Sequence, residues 1–302
     1  MPAPAAPRPS WGAKLMFAVW GIRYFDILVL MANPVLGAVV AIRQPTVVAQ
    51  ARLCFFVIFN FLFVAQIFIF NDWADARLNP EEPGLRNHHA LKHAAFSSGE
   101  LIALSAILAV VSLAGFFFIS PTLFAAGVAI AILTVLYSHP GINLKGRPVV
   151  STVIHFIVAT LQFSSGYLAF SHPTAKMAAL ALFFGWVLAA GHFSNEIEDF
   201  DQDGAARIRT NAIAFGRVTM FRIGLVLFVL SSVFLLASGL ALHEPFYAAC
   251  GAALCLMWGV NALRLRGWKA GDPIRPFRRF YRVLYALLSA AIVLQRAIEW
   301  WW

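Results

Sequence analysis

The sequence is poor in charged residues and in cysteine. Only 12% of its 302 residues are charged, about half the share found in an average soluble domain, whereas 61% are hydrophobic. A soluble protein of this length could not bury so much apolar surface in one core, and the composition also excludes a disordered chain. The three cysteines all lie inside apolar segments, which excludes a disulfide-stapled secreted domain. The composition therefore indicates a polytopic membrane protein.

Several common enzyme motifs are also missing. The glycines follow neither GxGxxG nor GxxxxGK[ST], so a nucleotide-binding loop is unsupported, and neither GxSxG nor HExxH occurs. His89 and His93 have the helical spacing of zinc ligands, but no cysteine accompanies them. We interpret this pair as part of a polar loop.

Nine apolar segments are long enough to cross a hydrocarbon core of about 30 Å, which takes roughly 20 helical residues. The sequence therefore predicts an all-α protein with nine transmembrane helices. Ser120 and Pro121 mark the boundary between the third segment and the fourth, which predicts a tight helical hairpin. The predicted spans are 24–42, 51–71, 101–119, 121–138, 150–171, 175–194, 217–242, 245–264 and 280–299.

The sequence predicts a simple domain organisation. Residues 1–10 are rich in proline and alanine and are predicted to form a disordered tail. Residues 11–302 are predicted to form one domain, because no linker interrupts the series of apolar segments. Residues 11–22 could form an interfacial helix with Trp11 and Trp20 at headgroup depth.

The basic residues are distributed unevenly between the two ends of the predicted helices. Nearly all of the 23 lysines and arginines lie in the N-terminal segment or near the loops that follow helices 2, 4, 6 and 8. The exceptions are Arg43, Arg52, Lys176 and Arg296. The positive-inside rule therefore places the N-terminus and these loops in the cytoplasm and the C-terminus on the opposite side. Topology and anionic lipid headgroups explain the net charge of +9 without nucleic acid.

Half of the 14 acidic residues fall in two short stretches. The first stretch is NDWADARLN at 71–79 and the second is NEIEDFDQD at 195–203, each at the cytoplasmic end of an apolar span. If these helices continue, Asn71, Asp72 and Asp75 share a face, because residues three and four apart are neighbours. Asn195, Asp199 and Asp203 recur every four residues in the same way.

Two oxygen-rich patches at the same membrane depth have two interpretations. They could be solvated loop carboxylates, since surface charge is the default for acidic residues. Alternatively, carboxylates and carboxamides without soft ligands suit Mg²⁺, which keeps water and substrate phosphate oxygens in its shell. We favour the second interpretation, because a chain with so few acids has two such patches. Facing each other, they could hold a diphosphate between metal ions.

These motifs resemble those of the UbiA superfamily of intramembrane prenyltransferases. That family has nine transmembrane helices, an NDxxDxxxD motif after helix 2 and a DxxxD motif after helix 6, which match 71–75 and 199–203 here. The segments YSHP at 137–140 and NPVLG at 33–37 are similar to the family's loop after helix 4 and to its helix 1. The segment 199–216 is similar to the 4-hydroxybenzoate polyprenyltransferase branch. The last aspartate of the first motif is Asn79 in this chain.

The resemblance implies a helical bundle around a central active-site cavity and an Mg²⁺-dependent prenyl transfer. Mg²⁺ held by the aspartate motifs would bind the diphosphate of a polyprenyl donor, and an aromatic or other lipophilic acceptor would attack the allylic cation. Quinone, tocopherol, haem or chlorophyll-type biosynthesis would be the setting. The expected catalytic carboxylates are Asp72, Asp75, Asp199 and Asp203. The expected metal ligands are these four together with Asn71 and Asn195.

Further residues are expected to bind the substrates. Lys145, Arg86 and Arg147 are candidate phosphate contacts, and the alternative for each is a positively charged loop residue on the cytoplasmic side. His192 could position an acceptor hydroxyl or be a hydrogen-bonded core histidine. The expected substrate-binding residues are Asn71, Arg86, Tyr137, Lys145, Arg147, His192 and Asn195. His155 and Gln66, polar at membrane depth, should face the interior of the bundle.

Two other functions remain open. A terpene cyclase of the same fold would need the same aspartate motifs but no acceptor. An ion-coupled transporter would instead need ionisable groups along its helices, whereas the acidic residues of this chain cluster at one membrane face.

Overall fold

The computed structural model describes residues 24–78, 96–205 and 207–302, together with Gly12. These residues form helices and contain no strand, as predicted. Among these residues, a 3₁₀ turn lies at Leu144–Gly146. The helices are α1 (Tyr24–Ala41), α2 (Val47–Leu78), α3 (Ser98–Ile119), α4 (Pro121–Ser138), α5 (Val150–Leu168), α6 (Ala175–Glu198), α7 (Phe200–Ala205), α8 (Asn211–Phe215), α9 (Arg217–Ala241), α10 (Pro245–Leu265) and α11 (Arg275–Trp301).

Each predicted span overlaps one of the longer helices, but several ends differ. Helix α2 continues to Leu78, past the predicted end at residue 71, and α11 begins at Arg275 rather than at residue 280. In the described ranges, seven helices are long and apolar enough to cross a membrane, and Asp26–Ala41 is a shorter apolar helix. Nine membrane crossings therefore remain a prediction. The proposed tail and all of the interfacial helix except Gly12 lie outside the described residues.

The predicted hairpin between the third and fourth spans is confirmed. Helix α3 ends at Ile119, α4 begins at Pro121, and Ser120 caps both helices. The Ser120 backbone N–H donates to the carbonyl of Phe116, and its hydroxyl accepts from the N–H of Leu123. Pro121 suits the first helical position, where no partner for its missing N–H is needed.

Helices α1 and α5 approach each other closely because each has a glycine at the contact. A Cβ atom on Gly166 would overlap the carbonyl oxygen of Pro34, and one on Gly37 would overlap the carbonyl oxygen of Phe163. Small residues at such contacts are what allows helix backbones to meet in a membrane, where no hydrophobic force drives association. The same pair of helices is joined by Asn33 Nδ2, which donates to the carbonyl of Ala159 at 2.8 Å.

An aromatic cluster joins the last three long helices. Phe228 on α9 stacks on Trp258 of α10 with ring centroids 4.3 Å apart and planes nearly parallel. Trp258 Nε1–H donates to the hydroxyl of Tyr285 on α11 at 3.0 Å. Both aromatic partners of this hydrogen bond are buried, so the indole N–H is satisfied within the protein.

The chain direction brings the polar motifs to one end of the bundle. Successive long helices run in opposite directions, so the C-terminal ends of α2, α4 and α6 lie at the same end as the N-terminal ends of α5, α9 and α11. The aspartate motifs, the 3₁₀ turn and the short helices α7 and α8 all belong to these ends.

Candidate functional site

The first aspartate motif lies on the last turns of α2. Because α2 continues without interruption to Leu78, Asn71, Asp72 and Asp75 are neighbours on one helix, as the sequence predicts. Asp72 and Asp75 are buried, at 7% exposure each, and therefore do not behave as solvated surface carboxylates. The amide oxygen of Asn71 accepts a hydrogen bond from the hydroxyl of Ser138, at the end of α4, at 3.0 Å.

Lys145 lies among the carboxylates. The 3₁₀ turn at Leu144–Gly146 places Lys145 in a buried position, where its ammonium forms an ion pair with Asp75. Burial lowers the pKa of Lys145 to about 8, although the charges of Asp203 and Asp72 act to raise it. Since Asp72 belongs to the first motif and Asp203 to the second, the two motifs meet around this lysine.

The second motif spans the junction between α6 and α7. Helix α6 ends at Glu198, Asp199 caps it, and the N–H of Asp203 bonds to the carbonyl of Asp199 at 2.8 Å. Asp203 is buried, at 3% exposure, whereas Asp199 is exposed. This backbone bond keeps Asp199 and Asp203 one helical turn apart, as the sequence predicts. Because α6 ends at Glu198, however, the two side chains lie in different environments.

Asn195 has a partner that the sequence did not indicate. Arg278, at the start of α11, donates from Nη2 to the amide oxygen of Asn195 at 2.7 Å, and its guanidinium also pairs with Glu198. Arg275 Nε bonds to Glu198 at 2.9 Å. In the sequence, Arg278 belongs to a run of basic residues for which the positive-inside rule is a sufficient explanation. Its contacts with Asn195 and Glu198 become visible only in the structure, where α11 lies next to α6.

Two other charged side chains lie away from this cluster. Asp201, within the second motif, is exposed and bonds to Arg217 at 2.8 Å. Arg147 is also exposed, and its side chain makes no hydrogen bond or ion pair with the described residues. The structure therefore brings Lys145, but not Arg147, into contact with a motif carboxylate.

Tyr137 and His192 both contact the ring of His155. The ring of His155 on α5 stacks on that of His192 at 3.7 Å, with an interplanar angle of 14°, and the ring of Tyr137 meets His155 edge-on at 5.1 Å. His155 and Gln66 face other helices, as predicted, and Gln66 accepts a hydrogen bond from Ser105 at 3.1 Å.

Part of the predicted site lies outside the described residues. Arg86, Asn79, and the histidine pair His89 and His93 fall in 79–95, so their predicted roles stay predictions. Within the described ranges, no group of three or more His, Cys, Asp and Glu side chains forms a ready metal cluster. Asp75 instead forms an ion pair with Lys145, and Asp72 and Asp203 interact with this lysine electrostatically.

The comparison with protein families identifies the class. Residues 31–289 match the model of the UbiA prenyltransferase family, and the chain therefore belongs to that family. The family match and the apolar helices make it an integral, multi-pass membrane protein. No curated protein matches the sequence significantly.

Solved structures share the fold. The UbiA homologue from Archaeoglobus fulgidus bound to GPP and Mg²⁺ is 17% identical, with a TM-score of 0.75 over 95% of this chain and 99% of that chain. The same homologue bound to DMAPP and Mg²⁺ is 15% identical, with a TM-score of 0.74 over 92% and 97%. A structure of digeranylgeranylglyceryl phosphate synthase is 15% identical, with a TM-score of 0.70 over 94% and 98%. At these identities the likeness shows the fold alone.

Proposed function

We propose that this protein transfers a prenyl group from an isoprenoid diphosphate to an aromatic or other lipophilic acceptor within the membrane. The observation that supports this most directly is the meeting of the two aspartate motifs around buried Lys145 at one end of an apolar bundle. The family match supports the same reaction, and the similar Archaeoglobus fulgidus structures hold GPP or DMAPP with Mg²⁺. Acceptors of quinone, tocopherol, haem or chlorophyll-type biosynthesis fit such a site.

The residues present suit Mg²⁺ as the cofactor. The two motifs supply carboxylates and carboxamides without sulfur ligands, and three of the carboxylates, Asp72, Asp75 and Asp203, are buried. Mg²⁺ commonly uses only one or two protein carboxylates together with substrate phosphates. A ready cluster of three ligands is therefore not required. When bound, Mg²⁺ would neutralise the charge of the diphosphate leaving group. The residues that would hold it are Asn71, Asp72, Asp75, Asn195, Asp199 and Asp203.

The protein's own residues hold and orient the diphosphate end of the donor. Lys145 supplies a buried ammonium that can contact a phosphate oxygen, and Ser138 fixes the amide of Asn71. Arg86, which follows the first motif in the sequence, and Arg147, in the loop after α4, are proposed as further phosphate contacts. The allylic C–O bond breaks with its electron pair going to the diphosphate. The acceptor's electrons then form the new bond to carbon, and the acceptor releases a proton.

The apolar helices protect the reactive cation. An allylic cation is captured by any water that reaches it, so the isoprenoid tail and the reacting carbon must lie in a dry chamber. Membrane lipids surround the bundle, and both substrates can enter from them. We place the N-terminus and the aspartate motifs on the cytoplasmic side and the C-terminus on the opposite side, because the basic residues favour that orientation. Reporter fusions at each terminus test this orientation directly.

The proposal extends to the domain organisation. We propose one prenyltransferase domain at 11–302 after a disordered tail at 1–10, and the family match over 31–289 supports it. Removing residues 1–10 should leave both the melting temperature and the turnover of the purified protein unchanged.

Diphosphate release tests the reaction. Purified protein is incubated with geranyl, farnesyl or geranylgeranyl diphosphate, with and without Mg²⁺ and a panel of aromatic acceptors. The variants are Asp72→Asn and Asp203→Asn, and the matched control is Asp201→Asn, which removes an exposed carboxylate of the same segment. We expect acceptor-dependent release that requires Mg²⁺ and falls about 100-fold or more in the first two variants only.

The other outcomes separate the alternatives. Release that needs Mg²⁺ but no acceptor would identify a cyclase. A folded protein without release for any substrate pair would contradict the proposal and favour transport.

A further inference from the structure

The turn before α5 contains a valine in an unusual backbone conformation. Val149 has φ 66° and ψ −50°, and the N–H of Val150 bonds to the carbonyl of Pro148 at 2.8 Å. These features define a γ-turn with a positive φ, the rare and strained form of that turn. A β-branched residue increases the strain, because positive φ favours glycine. The side chain of Val149 is 57% exposed, so its own packing does not compensate for the strain.

Asn211, the first residue of α8, holds this turn. Its amide oxygen accepts a hydrogen bond from the N–H of Val149 at 2.6 Å. Its amide nitrogen lies 3.0 Å from the hydroxyl of Ser151, 3.1 Å from that of Thr152 and 2.9 Å from a carboxyl oxygen of Glu196. Asn211 is 1% exposed, and the donor on one side and the acceptors on the other fix the orientation of its amide. One side chain therefore joins the loop before α5 to α5, α6 and α8.

The backbone between Val149 and Lys145 is stiff. The N–H of Arg147 donates to the carbonyl of Leu144 at 3.1 Å, and the carbonyl of Arg147 accepts from the first turn of α5 at 3.1 Å. Pro148, the next residue, has its φ fixed by its ring. A change of conformation at Val149 therefore moves the 3₁₀ turn that carries Lys145.

Asn211 is also connected to the second aspartate motif. The carbonyl of Asp203 accepts from the N–H of Ile208 at 2.9 Å, and the carbonyl of Ile208 accepts from the N–H of Thr210 at 3.0 Å. Thr210 directly precedes Asn211. Short backbone segments therefore lead from this asparagine both to Asp203 and to Lys145, the two motif-side groups that meet at the proposed diphosphate site.

Resting on the prenyl transfer proposed above, we propose that Asn211 is a positioning residue that maintains the strained turn at Val149 and thereby holds Lys145 in the diphosphate site. Loss of the amide removes the acceptor of the Val149 N–H. The turn then relaxes to a negative φ and moves Lys145 away from its ion-pair partner Asp75. If Asn211 instead only stabilised the packing of α5, α6 and α8, its loss would lower the melting temperature without a specific effect on Lys145.

Chemical labelling of lysines tests the position of Lys145 without relying on turnover. The purified protein is treated with an amine-reactive ester in detergent, and each lysine is followed by mass spectrometry. Lys145 is buried and should react slowly in the wild type, whereas Lys269 is exposed and serves as the internal control. Asn211→Ala should raise the labelling rate of Lys145 about tenfold or more. Adding Val149→Gly should return the rate towards the wild-type value, because glycine adopts a positive φ without strain.

Steady-state kinetics test whether Asn211 acts through Lys145. Asn211→Ala should lower kcat/KM for geranyl diphosphate about tenfold in the wild-type background. In a Lys145→Gln or a Val149→Gly background it should lower kcat/KM less than about threefold, because the group it positions is absent or the turn no longer needs support. Val150→Gly is the matched control background, since this neighbouring exposed valine has a helical backbone, and there the tenfold loss should persist.

The outcomes that overturn the proposal are distinct from failure of the enzyme. Asn211→Ser, whose hydroxyl is one bond shorter than the amide, keeps a polar group in the cluster and is measured in parallel. Unchanged labelling of Lys145 in folded Asn211 variants would overturn the proposal. An equal loss of kcat/KM in all backgrounds would do the same and leave Asn211 a purely structural role. A wild type without turnover would contradict prenyl transfer, whereas the labelling result would still decide the role of Asn211.

Discussion

Ser138 and Asn71, far apart in the sequence, are joined by a hydrogen bond of 3.0 Å in which the serine hydroxyl donates to the amide oxygen. The bond joins the last residue of α4 to the first aspartate motif on α2. It places the YSHP segment, which begins at the end of α4, next to the first aspartate motif. The serine fixes the orientation of the asparagine amide, which leaves the amide N–H₂ directed away from Ser138.

Ser138→Ala should therefore weaken the donor site without unfolding the protein. The loss of one neutral hydrogen bond is worth about 1 kcal/mol, so kcat/KM for the prenyl diphosphate should fall roughly five- to tenfold. Ser232→Ala is the control, because that hydroxyl bonds only to the carbonyl of Phe228 in its own helix. A fall of the same size in both variants would show that Ser138 has no specific role.

Lys145→Gln tests the buried ammonium. Loss of a cation from a water-excluded phosphate site should lower kcat/KM for geranyl diphosphate about 100-fold, or roughly 2.7 kcal/mol in the transition state. Lys176→Gln breaks the 2.9 Å ion pair with Glu244 at the other end of the bundle and should change kcat/KM less than twofold. Steady-state kinetics of the two variants distinguish a phosphate contact from a loop charge.

Gly166→Ala tests the contact between α1 and α5. The added Cβ would overlap the carbonyl of Pro34 on the facing helix, so the two helices must separate, at a cost of about 1–3 kcal/mol or more. Gly259→Ala, where nothing lies within 4 Å of the added atom, should be neutral or slightly stabilising. The comparison is made by thermal unfolding in detergent, and equal melting temperatures would contradict the predicted close approach.

Tyr285→Phe tests the aromatic cluster. It removes the acceptor of the Trp258 N–H and leaves a buried donor unsatisfied, which should cost about 1–3 kcal/mol in the free energy of unfolding. In a Trp258→Phe background the same change should cost clearly less, because the donor is already gone. Additive effects of the two substitutions would exclude an energetic role for the hydrogen bond.

Local sequence patterns predicted most of the fold. Apolar segments of membrane length located the helices, and Ser120 with Pro121 located the hairpin, because helix ends depend on neighbouring residues. Hydropathy predicted the ends of helices less well where the last turns are polar. Helix α2 continues to Leu78 through the charged motif that ended its predicted span at residue 71.

The candidate site could be predicted only in part. Spacing placed Asn71, Asp72 and Asp75 together, since all three lie within two turns of one helix. Spacing could not predict which acids of the second stretch bind other side chains of the protein. Three of them do so, Glu196 with Asn211, Glu198 with Arg278, and Asp201 with Arg217. These partners come from other helices, and the periodicity of a single helix contains no information about them.

Equilibrium binding of geranyl diphosphate to the wild type, Asp203→Asn and Asp201→Asn, with and without Mg²⁺, tests most directly whether the two motifs form one diphosphate site. Binding should require Mg²⁺, should weaken tenfold or more in Asp203→Asn, whose carboxylate is buried near Lys145, and should be unchanged in Asp201→Asn, whose carboxylate is exposed. Binding that is independent of Mg²⁺ and unaffected by Asp203→Asn would contradict a shared site.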